Sequence, residues 1–165
     1  MERFVLSALV QNHAGVLSRV SGLFSRRRFN IDSLTVGVTS DPEVSRMTIV
    51  AHGDDAQLDQ ICRQLEKLVE VIAVRRLDPD RAVFRELALV KVAAAADNRS
   101  GIIQIADIFR ARIVDVTVDS LTIEVTGDQS KIDSLVELLE PWGIRELART
   151  GLAALERGPL VLSLI

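Results

Sequence analysis

The chain has 165 residues, 48% apolar and 26% charged, the proportions of an ordinary globular protein with room for one domain or two small ones. Twenty Lys and Arg against 23 Asp and Glu give a net charge of -3, which argues against general phosphate-backbone binding, and 4% aromatics leave few base-stacking platforms. One cysteine, Cys62, excludes an internal disulfide, and the two histidines, His13 and His52, show no metal-ligand spacing. Met1 to Leu6 lacks the pattern of a leader peptide, and no window approaches 18 continuous apolar residues. No membrane segment is expected, and the expected location is the cytoplasm.

The first half reads strand, helix, strand, strand, helix, strand. Phe4 to Val10 is an apolar run of strand length, ended by Gln11-Asn12-His13-Ala14-Gly15. Val16, Leu17, Val20, Leu23 and Phe24 then recur with helical spacing. Asn30 to Thr39 is a second strand, closed by the turn composition Ser40-Asp41-Pro42-Glu43, and Val44 to Ala51 is the return strand. Gly53-Asp54-Asp55 opens a second helix striped by Leu58, Ile61, Cys62, Leu65 and Leu68, and Glu70 to Leu77 closes the unit. Two crossovers on one four-stranded sheet predict a ferredoxin-like βαββαβ unit.

Asp78-Pro79-Asp80 is turn-like and marks an expected boundary between domains 1–79 and 80–165. The second half repeats the plan. Leu87 to Ala94 is a strand, Asp97 to Gly101 a turn, and Ile102, Ile103, Ala106 and Phe109 a helical stripe. Strands follow near Ile113–Val118 and Leu121–Thr126, then a helix striped by Ile132, Leu135, Val136 and Leu139. Gly53-Asp54-x-x-x-Leu58-Asp59 recurs as Gly127-Asp128-x-x-x-Ile132-Asp133, each time between a strand and a striped helix, which points to a structural repeat. The predicted fold class is α+β, with two ferredoxin-like domains.

No nucleophile–base pair, phosphate loop or metal pair appears, so an enzyme is not expected. Cys62 reads as a small core residue, Asp54, Asp55 and Asp128 as helix-start acids, Arg26-Arg27-Arg28 as a solvated helix end, and His52 as a surface residue. The segment with chemical character is Asn12 to Leu17. Free N–H groups at a helix start bind a carboxylate, Gly15 clears an approach to the backbone, and Asn12 both donates and accepts. That set suits a free amino acid. A plain turn uses the same residues, and spacing alone does not separate the two.

Asn12-His13-Ala14-Gly15-Val16-Leu17-Ser18-Arg19-Val20, Gly22-Leu23-Phe24-Ser25-Arg26-Arg27 and Asn30-Ile31-Asp32-Ser33-Leu34-Thr35-Val36 resemble the ACT regulatory domain, and more narrowly that of the acetolactate (acetohydroxyacid) synthase small subunits. Ser45–Ile49, Gln64–Leu68, Glu86–Lys91, Ile108–Ala111, Ile113–Val116, Glu124–Gly127 and Ala148–Gly151 extend the likeness along nearly the whole chain. The resemblance implies a non-catalytic subunit in branched-chain amino acid biosynthesis. It would bind a large catalytic subunit carrying thiamine diphosphate, Mg and FAD, activate it, and confer allosteric feedback inhibition by valine. It also implies a homodimer of ACT domains. Asn12, Gly15, Val16 and Leu17 would hold the valine carboxylate from one protomer, and Asn30 and Ile31 would complete the pocket from the other. The remaining expectation is a free-standing amino-acid-sensing ACT protein acting on another partner. The C-terminal half lacks the Asn12-type loop and reads as a dimerisation and docking module. The apolar ending Leu160–Ile165 is expected to pack on its own domain or on a partner.

Overall fold

A computed structural model describes residues 2–163. The chain divides into two compact units, one made of residues up to Val83 together with those from Leu152 on, the other of Phe84–Gly151. The expected domains were contiguous in sequence; here the segment after Gly151 belongs to the first unit.

The first unit holds β1 (Glu2–Gln11), α1 (Val16–Arg26), β2 (Ile31–Val38), β3 (Val44–Gly53), α2 (Asp55–Leu65) and β4 (Val71–Leu77), in the predicted order. Its antiparallel sheet runs β2-β3-β1-β4. Alternation puts Phe4, Leu6, Ala8 and Val10 of β1, with Met47, Ile49 and Ala51 of β3, against Val20, Leu23, Phe24, Leu58, Ile61 and Leu65 of the two helices. Cys62 lies at the margin of this core, as expected, and burial pushes its thiol pKa up, helped by Glu66 and Asp59.

The intervening residues of β1, Val5, Ser7 and Leu9, are also buried, which is why Phe4 to Val10 reads as an apolar run. Arg46 donates to the Ser7 hydroxyl at 2.7 Å, and Arg75, beside Ser7 in the β4 register, pairs with Glu156 of the C-terminal segment. Leu162 and Ser163 line a hollow with Leu9, Ile72 and Arg46. The C-terminal segment thus packs with the first unit and not, as expected, with the 80–165 domain; Leu164 and Ile165 lie outside the described residues.

The 3-10 turn Pro79–Arg81 follows β4, with the Asp78 carboxylate accepting from the Asp80 N–H. β5 (Ala82–Ala93) starts five residues earlier than expected and leads into the second unit, followed by α3 (Arg99–Ile108), β6 (Arg112–Val116), β7 (Ser120–Gly127), α4 (Gln129–Leu139) and β8 (Ile144–Arg149). The sheet path is β6-β7-β5-β8, the same plan as the first. A short strand, β9 (Ala153–Glu156), falls in the part of the chain that returns to the first unit.

The expected turn at Asp97–Gly101 is shorter than predicted, because Arg99, Ser100 and Gly101 are already helical. A Cβ on Gly101 would stand 2.7 Å from the Trp142 ring, so the glycine serves close packing here rather than turning. Two local devices recur in both units. Asp54 and Asp128 cap α2 and α4, accepting from the N–H of Gln57 and Lys131. α1 and α3 each close with an arginine at positive φ, Arg28 at 58° and Arg110 at 53°, while the next N–H, of Phe29 or Ala111, bonds back five residues. The Arg26–Arg28 run is therefore a helix ending, as expected, with one residue in the left-handed region.

Candidate functional site

The four helix starts differ. α2 has a capping box, with the Gln57 side chain accepting in return from the Asp54 N–H, and α4 has its aspartate. α1 has neither: its N-cap is Gly15, at φ 90°, with no side-chain cap. Arg19 is the first residue of α1 whose N–H reaches a backbone carbonyl, that of Gly15 at 3.0 Å. The N–H groups of Val16, Leu17 and Ser18 therefore have no partner within the helix, and they carry the positive end of its dipole. Asn12, His13, Ala14 and Gly15 are exposed, and a Cβ on Gly15 would meet nothing within 4 Å. Open space lies directly over an uncapped helix start.

The loop is fixed from one side. The Asn12 N–H donates to the Glu43 carbonyl and its side-chain amide to the Pro42 carbonyl, each at 2.8 Å. That engages one of the amide hydrogens expected to meet a ligand carboxylate. Val16 is 3% exposed and packs in the core, so only its backbone faces the loop. Leu17 is 46% exposed.

Asn30 and Ile31 stand elsewhere. In register, Ile31 lies opposite Ala51, and Ala51 opposite Phe4, whereas Gln11 lies opposite Val44. Seven residues of strand separate Phe4 from Gln11, about 23 Å at a strand's rise. Within one protomer the two groups of candidate residues occupy opposite ends of the sheet. Asn30 is exposed, and its side-chain amide donates to Asp32 Oδ1 at 2.8 Å; Asp32 Oδ2 in turn meets His52 Nδ1 at 2.5 Å. The sequence reading left His52 on the surface and passed over Asp32. The alternation of β2 and β3 placed both residues on strands, but nothing in the sequence paired them across 20 positions.

β2 is the edge strand on this side, and it exposes Val36 by 43% and Val38 by 60%. A hollow lined by Ala56, Asp59, Gln60, Arg63, Gln64 and Lys67 is simply the wet face of α2. Among the described residues no cluster of His, Cys, Asp and Glu could hold a metal ion, and no helix is long and apolar enough to cross a membrane.

In the second unit α3 likewise starts without a side-chain cap, but the N–H groups of Arg99 and Gly101 meet the carbonyls of Ala95 and Asn98, at 3.1 and 3.2 Å. Arg99 donates from Nη2 to the carbonyls of Ala94, Thr117 and Val118, at 3.2, 2.6 and 2.9 Å. Its guanidinium ties the Ala94 end of the β5–α3 connection to the turn between β6 and β7.

Comparison with known proteins covers both units. Residues 6–73 match the family model of the AHAS small subunit-like ACT domain, and residues 85–158 that of the small subunit of acetolactate synthase. A probable acetolactate synthase small subunit from Methanothermobacter thermautotrophicus is 57% identical over 93% of this chain and 92% of its own. The acetolactate synthase small subunit of Mycolicibacterium smegmatis is 52% identical over 93% and 91%. The crystal structure of the small subunit from Thermotoga maritima superposes with a TM-score of 0.91 at 41% identity, covering 97% of this chain and all of that one.

Proposed function

Because the chain belongs to the family of acetolactate synthase small subunits, we propose that it is the regulatory subunit of an acetolactate synthase holoenzyme. In this reading it binds the thiamine-diphosphate-dependent catalytic subunit in the cytoplasm, raises its activity and passes on feedback inhibition by valine. It performs no catalysis itself, and thiamine diphosphate, Mg and FAD reside on the partner.

The observation that carries the effector assignment is the uncapped start of α1 beneath an open glycine loop. A valine carboxylate accepts from the N–H groups of Val16, Leu17 and Ser18, the role an aspartate fills at α2. The strand register supports a site completed by a second protomer. Two β2 edges pairing antiparallel about a two-fold bring the Ile31 end of one beside the Val38 end of the other. Val38 lies opposite Ser45, and Ser45 opposite Val10, so that end is level with the Asn12 loop. Asn30 and Ile31 of the partner subunit then face the loop that is about 23 Å from this protomer's own pair. The same pairing covers Val36 and Val38. A ligand held by both protomers favours one dimer geometry over another, and a coupling of about 1–3 kcal/mol is enough for feedback.

The test is calorimetric titration of the full chain with L-valine, leucine, isoleucine and D-valine, followed by reconstitution with the catalytic subunit. Saturable L-valine binding, weakened in Asn12→Ala, together with valine-sensitive activation on reconstitution, is the expected result. A catalytic subunit whose activity and valine response ignore the chain overturns the proposal.

A further inference from the structure

We propose that Glu70 and Arg19 are positioning residues for the effector loop, an inference that rests on the valine reading above. Glu70 directly precedes β4 and is buried, its side chain only 9% exposed. Its backbone carbonyl accepts from the N–H of Gln11, the last residue of β1, at 2.8 Å. Its carboxylate accepts from Arg19 Nη1 at 2.5 Å, and Arg19 is the residue whose N–H begins the hydrogen-bond ladder of α1. One residue thus grips both ends of the segment that carries the open N–H groups, the strand end by its main chain and the helix end by its charge. Asn12 is held from the other direction by Pro42 and Glu43, so the loop is suspended between two fixed supports.

Stability alone is a poor account of this carboxylate. Its second oxygen, Oε2, is buried without a hydrogen-bond partner among the described residues, and a charge so placed costs more than an amide or an apolar side chain. Arg19 keeps 65% of its own side chain in water, so the pair is lopsided: an exposed cation held by a buried anion. The tether sets where α1 starts. A loop already ordered before the ligand arrives spares the ligand that ordering cost, and valine affinity follows from it.

The experiment measures two quantities on the full chain: the valine Kd by calorimetry, and hydrogen exchange of the amides of residues 13–19. Glu70→Gln keeps the carbonyl contact to Gln11 and removes only the charge. It and Arg19→Met are each expected to raise the Kd about tenfold and to speed exchange in the loop, given the ordering that several backbone residues lose. The double variant loses no more than either single one, since both remove one interaction. Arg19→Lys, which keeps the charge, retains most of the affinity. The control pair Arg75→Met with Glu156→Gln removes another ion pair of the same unit and leaves both readings unchanged. A Kd within twofold of the unsubstituted chain with unaltered exchange overturns the proposal, as does an equal shift in the control pair. Should the unsubstituted chain bind no valine, the effector reading fails by itself. Loop exchange then decides the positioning claim: faster in Glu70→Gln upholds it, unchanged overturns it.

Discussion

In the first unit the chain passes from β1 to α1 through four exposed residues, the last a left-handed glycine, leaving three N–H groups of the helix start open. In the second it passes from β5 to α3 through Ala94 to Asn98, and the Arg99 guanidinium satisfies three carbonyls across that loop. The sheets have the same strand plan, and the second helices carry the same aspartate cap. A repeated fold therefore leaves its loops free to differ. One unit leaves three N–H groups of its first helix start open; at α3, which also has no side-chain cap, the carbonyls of Ala95 and Asn98 close the N–H groups of Arg99 and Gly101.

The largest expected effect breaks the open half of this comparison. Gly15→Asp places a carboxylate at the N-cap, where under the proposed effector reading it competes with the valine carboxylate for the same N–H groups. The site has room for the side chain, so the structural cost is confined to a left-handed backbone, about 1–2 kcal/mol. Valine affinity should fall by about a hundredfold or more, equivalent to about 2.7 kcal/mol, while calorimetric melting shows the fold retained. Gly15→Ala separates the two terms, because it carries the strain without the competing charge. An Asp variant that binds valine as the parent does would remove the α1 start from the site.

Breaking the closed half is the next effect in size. Arg99→Ala leaves the buried Ala94 carbonyl and the exposed carbonyls of Thr117 and Val118 without their shared donor. Water replaces the donor at the exposed pair, so the cost to the second unit is about 1 kcal/mol. Trp142, the single tryptophan, packs on the core of that unit, so its fluorescence reports the unfolding. Valine affinity should not change. A loss of affinity here would mean that this loop also serves the effector, and the contrast between the units would fall.

How much of this was readable in the sequence depends on the distance over which each interaction acts. Helix stripes and the Asp54 and Asp128 caps lie within a few positions of one another, and the helices and strands of both units follow in the predicted order. The Asn12–Gly15 loop was legible for the same reason. Val16 opens the apolar stripe with its side chain in the core, so what it offers the loop is its backbone alone. The helical start of α3 hid behind a turn-like composition, because Gly101 answers to a tryptophan 41 positions away. Arg19 with Glu70, His52 with Asp32 and Arg75 with Glu156 span 51, 20 and 81 residues, and no periodicity pairs them. The return of the C-terminal segment to the first unit is unreadable on the same ground: its apolar residues do not say which sheet they cover.

A smaller effect sharpens what the units share. Arg28 and Arg110 both hold a left-handed helix ending that glycine adopts without steric cost. Arg28→Gly and Arg110→Gly should each stabilise their own unit by about 0.5–1 kcal/mol, the relief of strain less the added chain entropy. Matched shifts in calorimetric melting would show that the two endings are energetically equivalent. A gain in only one would mean that the other arginine side chain contributes something glycine lacks.

The smallest effect is a pH dependence in the second unit. Asp128 accepts from the Lys131 N–H and the Ser130 hydroxyl, and these bonds hold its pKa below the usual carboxylate value, the Lys131 N–H contributing most. A carboxyl whose folded pKa is depressed binds its proton more readily when unfolded, so it adds stability that is fully present above about pH 4. That stability is lost as the pH falls through the lowered folded value. The Trp142-monitored melting temperature should therefore decline with acid below about pH 4, and Asp128→Asn should flatten part of the decline while lowering the plateau above it. Asp119 follows the same rule through Arg145 and Thr117, so the single substitution leaves a residual slope. An unaltered slope in Asp128→Asn would mean that the cap carries no proton linkage, and that the α4 start owes its stability to the apolar stripe of Ile132, Leu135 and Leu139 beneath it.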